Sequence, residues 1–174
     1  MTEPTRWDIV VRLTHWTIAI LFLANFFVLE EGSVIHEWAG YALLVTLGIR
    51  LLWGLVTDSP AALRRFPPSV SQALAHLREV FHTQKDEHSG HNPAGAIMVW
   101  LLWSLLIFTC ISGFLMETDR FWGEDWLKWI HEVLANITLA MVIIHVSAVI
   151  FMTRLTGRNY LAGMTGRGHR RMRK

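Results

Sequence analysis

The chain has 174 residues, 52% of them hydrophobic and only 17% charged, with nine Trp, nine Phe, a mean hydropathy of +0.34 and a formal net charge of +2. That balance excludes an ordinary water-soluble domain and points to an integral membrane protein. The expected fold is all-α, a membrane four-helix bundle with short interfacial helices in the connecting loops; membrane lipid surrounds it, and no nucleic-acid partner is expected.

Four apolar runs, about 13–29, 38–56, 94–116 and 133–155, reach the roughly 20 residues that a bilayer crossing takes. They leave room for one membrane domain over 1–174 that ends in a basic cytoplasmic tail, 157–174. The first run is long, contains Trp16 and Asn25, and meets no small-residue cleavage site before Glu30 and Glu31, so it is expected to stay in the mature protein. His15 lies near its start. The second run opens on "VIHEWAGYALL", with His36, and closes near Arg50.

The connection that follows contains "PPSVSQALAHLREVFH". Ser69 and Gln72 stand at capping-box spacing, and Val70, Ala73, Leu74, Leu77, Val80 and Phe81 share one face, the pattern of a helix lying on the membrane surface. His76, His82, His88 and His91 are irregularly spaced in a polar setting and are expected to be solvated; His169, in the tail, carries no signal. The third run starts at "HNPAG" and contains no His. Its Cys110 is the chain's single cysteine, so there is no disulfide framework, no CxxC pair and no CxxCH for covalent haem attachment.

Before the fourth run, "DRFWGEDWLKWIHE" places Trp122, Trp126 and Trp129 where an interfacial aromatic belt is expected. His131 follows in a second Ile-His-Glu, and His145 comes fourteen residues later. Of the 16 Lys and Arg, 14 lie in the N-terminal arm, from the end of the second run through the loop after it, or at the C-terminal end. The two other connections hold Glu30, Glu31, Glu37, Glu117, Asp119, Glu124, Asp125 and Glu132. By the positive-inside rule both termini are cytoplasmic and the acidic connections face outward.

Fourteen residues rotate a helix by about 1400°, nearly whole turns, and advance it by roughly 21 Å. His131 and His145 therefore share a face at two depths, where His131 meets His36 and His145 meets His15. Paired neutral imidazoles from facing helices saturate haem iron and suit it to electron transfer. Ala19, Gly40 and Ala135, each four residues after one of these histidines, would clear space for a flat macrocycle, although small residues also serve close helix packing. Zinc needs its ligands around one centre at about 2 Å, which histidines roughly 21 Å apart on one helix cannot offer.

"RWDIVVRLTHW", "HEWAGYALLVTLGIRLLWG", "HNPAGAIMVW" and "HEVLANITLAMVIIH" together resemble the bacterial cytochrome b561 family, which is similar to the membrane cytochrome b subunits of nickel-iron hydrogenases and formate dehydrogenases. The resemblance runs over nearly the whole chain. It implies two non-covalent haem b groups, the outer held by His36 and His131 and the inner by His15 and His145, in agreement with the depth argument. Arg50, about 21 Å along the helix from His36, is a candidate for a haem propionate, and Arg12, one turn before His15, is a second. Gly40 is the candidate for haem packing.

In the formate dehydrogenase relatives the quinone sits beside the inner haem, near the start of the third helix. By that resemblance Asn92, Gly95 and His91 are candidates here, while "NPAG" is equally a helix-start sequence. Glu37 and Glu132 are read as carboxylates favoured at helix N-termini. The chain is shorter than those subunits and lacks extra docking loops.

The expected function is electron transfer across the bacterial inner membrane between the quinone pool and a periplasmic partner, a c-type cytochrome suiting the acidic face. A superoxide:quinone oxidoreductase and a non-redox metal-binding membrane protein are the alternatives.

Overall fold

The computed structural model describes residues 7–86, 90 and 92–165. Among these the regular structure is helical throughout: α1 (Ile9–Phe27), α2 (Val34–Val56), α3 (Val70–Thr83), α4 (Pro93–Met116), α5 (Asp125–Thr156) and α6 (Tyr160–Thr165), with one 3-10 turn at Leu63–Arg65. α1, α2, α4 and α5 are long and apolar enough to cross a membrane. Only 6% of the most apolar stretch of α5, and 22% of that of α2, is buried inside the protein. So much outward apolar surface is stable only when the surrounding solvent is lipid.

Local chemistry sets the helix starts. Asp8, Ser33, Ser69 and Asn92 each accept a backbone N–H of the first turn, and Pro93 occupies a position where a missing N–H costs nothing. α5 has 32 residues, about 48 Å of helix, and outruns a hydrocarbon core of about 30 Å. It begins well before its apolar run, so Trp126 and Trp129 lie on its first turns, exposed as an interfacial belt requires.

α1 packs on α2 and α4 on α5, and the two hairpins meet along α2 and α4. Among the described residues, α5 makes no extended backbone contact with α1 or α2. An apolar waist of Phe22, Leu43, Leu47 and Leu106, with Leu139 and Val142 against it, closes the middle of the bundle. α3 packs on α4 through Ala73 and Val80 and leaves Val70, Leu74 and Phe81 exposed, as a helix lying on a membrane surface would.

Asp8 joins two helix ends. Besides capping Val11 N–H (2.9 Å), it accepts from the Trp53 indole (3.2 Å) and the Ser59 hydroxyl (3.0 Å). Burial alone would raise its pKa, but these three donors and the Arg50 cation outweigh it and hold the carboxyl below its usual value. The folded state thus favours the carboxylate. Its stabilisation is present above the unfolded pKa and lost as pH falls through the lower folded value. Asp8→Ala is expected to cost about 1 kcal/mol for the cap. In thermal unfolding in detergent, the variant should also lose part of the decline that the wild type shows on acidification below pH ~4.

Candidate functional site

The acidic end of the bundle brings His36 and His131 together. Ser33 Oγ accepts the His36 backbone N–H at 3.2 Å, fixing the first turn of α2, and the two imidazole centroids are 6.3 Å apart with planes inclined by 67°. Two imidazoles sharing one metal ion, with bonds of about 2 Å, would have centroids about 6 Å apart. The spacing fits a single iron between them.

α4, which contains no histidine, supplies the surroundings of His131. Its Nδ1 lies 3.0 Å from Ser112 Oγ and 3.1 Å from the Thr109 carbonyl oxygen, and Ser112 is buried. A Cβ at Gly113 would stand 3.1 Å from His131 Cε1, so glycine lets the ring lie close to the α4 backbone. Sequence reading missed all three residues. Their only trace is a small, polar patch in a helix otherwise rich in Leu, Ile, Phe and Trp.

At the basic end Trp16 stands edge-on to His15 at 5.4 Å, and His145 lies toward the same end on α5. The waist residues separate this end from the first. His15 Nδ1 and His36 Nδ1 are buried without a hydrogen-bond partner among the described residues, a costly state that suits side chains whose function is to bind another group.

Arg50 is 4% exposed. Its Nη2 donates to the Ala61 carbonyl at 3.3 Å and its guanidinium lies 5.1 Å from the Trp103 ring centre, but Nη1 has no hydrogen-bond partner among the described residues. A buried guanidinium with a free donor fits the carboxylate of a haem propionate. Arg12 is half-buried and its Nε donates to the Met164 carbonyl at 3.3 Å, an acceptor it shares with the Trp16 indole. Gly40 faces α1 and α4. The Asn25 amide spans its turn, donating to His36 O and accepting from Gly40 N, and Cys110 Sγ reaches Gly40 O at 3.8 Å.

Asn92 is occupied at both ends. Its Oδ1 accepts Gly95 N–H at 2.7 Å, its Nδ2 donates to Asp86 Oδ2 at 2.8 Å, and a Cβ at Gly95 would come within 3.0 Å of Oδ1. His88, His91 and His169 lie outside the described residues. His82 is exposed, as expected, but His76 is a correction: it is 3% exposed, on the face of α3 that meets α4, with Nε2 at 3.4 Å from Asp86 Oδ1. Asp86 is itself buried. It also accepts from Tyr160 Oη (2.5 Å), and its carbonyl accepts from Arg158 (3.1 Å). Burial first, and then the bond to Asp86, push the Tyr160 phenol up to about 12, so it remains a donor across the working pH range. This polar cluster ties α3, the start of α4 and the α5–α6 junction together. Hydropathy could not reveal it, because its members are far apart in sequence.

Among the described residues, no three His, Cys, Asp or Glu side chains converge to hold a metal ion. His36 and His131 stand together at the acidic end, and His15 lies at the basic end of α1.

The family model of the prokaryotic cytochrome b561 matches residues 6–167. A curated relative, the cytochrome b561 homolog 2 of Escherichia coli (strain K12), is 21% identical over 166 residues, covering 70% of this chain and 88% of the relative. No solved structure matches. With the match extending from the N-terminal arm past α6 and four helices able to span a membrane, the chain belongs to the prokaryotic cytochrome b561 family, membrane proteins that bind b-type haem and serve electron transport.

Proposed function

We propose that this protein holds two b-type haems, one between His36 and His131 and the other between His15 and His145, and moves electrons across the bacterial inner membrane between quinol and a periplasmic redox protein. The observation that supports it most is the 6.3 Å approach of His36 to His131 at the acidic end of the bundle. Haem iron held by two imidazoles has no open coordination position and exchanges single electrons. Each histidine's part is to present one neutral nitrogen lone pair; Arg50 offers Nη1 to a propionate, with Arg12 as the second cation at that end.

Both termini are read as cytoplasmic and the Glu- and Asp-rich connections as periplasmic, by the charge distribution. With haem bound, a quinol oxidised near the inner pair would give up two electrons, carried one at a time to the outer pair, and two protons, which would pass to water. The acidic outer face favours a positively charged acceptor such as a c-type cytochrome. Asn92 and Gly95 are the candidates for quinone contact; a quinone carbonyl at Asn92 Nδ2 would have to displace Asp86.

A reduced-minus-oxidised visible spectrum of the purified protein should show b-type bands, with two haems per chain by pyridine extraction. Absence of those bands would end this reading. Superoxide:quinone oxidoreduction is the second reading; an acidic outer face repels an anionic substrate, so superoxide decay is expected to be no faster with ubiquinone than without. Fast quinone-dependent consumption would reverse that order. A non-redox metal-binding role has less support, because the described histidines do not converge on one centre.

A further inference from the structure

We infer that α4 sets the tautomer of His131, and with it the reduction potential of the outer haem, through Ser112 and the Thr109 carbonyl. The inference rests on the proposed ligation and adds a positioning residue to it.

The hydrogen-bond count is what carries it. Ser112 has a single hydroxyl hydrogen, and its Oγ donates to the Thr109 carbonyl at 2.8 Å. Toward His131 the hydroxyl then offers only lone pairs. His131 Nδ1 therefore faces two acceptors, Ser112 Oγ at 3.0 Å and Thr109 O at 3.1 Å, and it must carry the ring hydrogen. Nε2 is left as the lone-pair nitrogen, the form a metal takes. Both acceptors belong to one turn of α4, and Ser112 is only 4% exposed, so water does not compete for the bond. Gly113 keeps the ring within reach of both.

His36 Nδ1 and His15 Nδ1 lack such support: neither has a hydrogen-bond partner among the described residues. An Nδ1–H donated to fixed acceptors makes an imidazole a stronger electron donor, which favours the ferric state. The outer haem should therefore be harder to reduce than it would be without Ser112. α4 thus acts on the haem without supplying a ligand.

The test is potentiometric titration of the haem-loaded protein, following each haem by its visible bands. Ser112→Ala removes one acceptor and should shift the outer haem's reduction equilibrium by about tenfold toward the reduced form, about 59 mV for one electron. The inner haem should not move. Ser112→Thr keeps the hydroxyl and should restore the wild-type value. Ser104→Ala, on the same helix where the exposed hydroxyl only donates to its own helix at Trp100 O, should change neither haem. Selective loss of the outer haem in Ser112→Ala would also support positioning of His131. Two bound haems with unchanged potentials, or equal changes at both, would overturn the inference. Failure of the underlying ligation is a separate result, visible as missing b-type bands in the wild type.

Discussion

His145→Ala is expected to halve the haem content, removing the inner haem and leaving the outer one with its spectrum nearly unchanged. His145 and His15 are at the basic end, while His36 and His131 are held by contacts of their own: the Ser33 cap on α2, and Ser112 with Thr109 on α4. Phe22, Leu43, Leu47 and Leu106 stand between the two levels and do not depend on His145. α5 should keep its place, because Leu127 and Thr138, its most buried residues, both lie toward the acidic end from His145. The complementary His131→Ala should lose only the outer haem. Haem content and visible spectra of the purified variants decide it, and retention of both haems in each variant would refute the pairing.

Asp86→Ala is expected to be the most destabilising substitution outside the histidine pairs. It removes the acceptor shared by the part-buried Tyr160 hydroxyl and Asn92 amide, and the buried carboxylate facing His76. Removing one member of such a buried set costs about 3 kcal/mol or more. The loss should be local at first: the α5–α6 junction and the α3 surface helix should become protease-sensitive before the spans unfold. Asp86→Asn, which keeps an acceptor oxygen, should fall between wild type and Asp86→Ala in thermal unfolding in detergent. Equal stability of all three proteins would show that the cluster contributes nothing to the fold.

The spans and the surface helix were legible because both signals are local. A run of apolar residues is in itself the condition for crossing lipid, and Ser69 before an amphipathic stretch is in itself a helix start. That His131 and His145 share a face follows from helix geometry alone, since a fourteen-residue spacing is nearly a whole number of turns. His76 shows where such reasoning stops. Its residue type is ordinarily solvated on a surface helix, and only the packing of α3 on α4 buries it beside Asp86, ten residues later. The local sequence around Asn92 suits both a quinone contact and a helix cap; the structure occupies both ends of its amide, one of them through Asp86, which no motif marks.

The sequence by itself determined that this chain lives in lipid, that it is helical, and that His131 and His145 share one face of their helix. Those properties depend on composition and on the fixed rise and turn of a helix, which are the same in any context. Only the tertiary structure decided what stands around the bundle's two ends: Ser112, Thr109 and Gly113 against His131, the buried guanidinium of Arg50, and the Asp86 cluster at the basic end. These depend on which helix faces pack together, and so on contacts between residues remote in the chain.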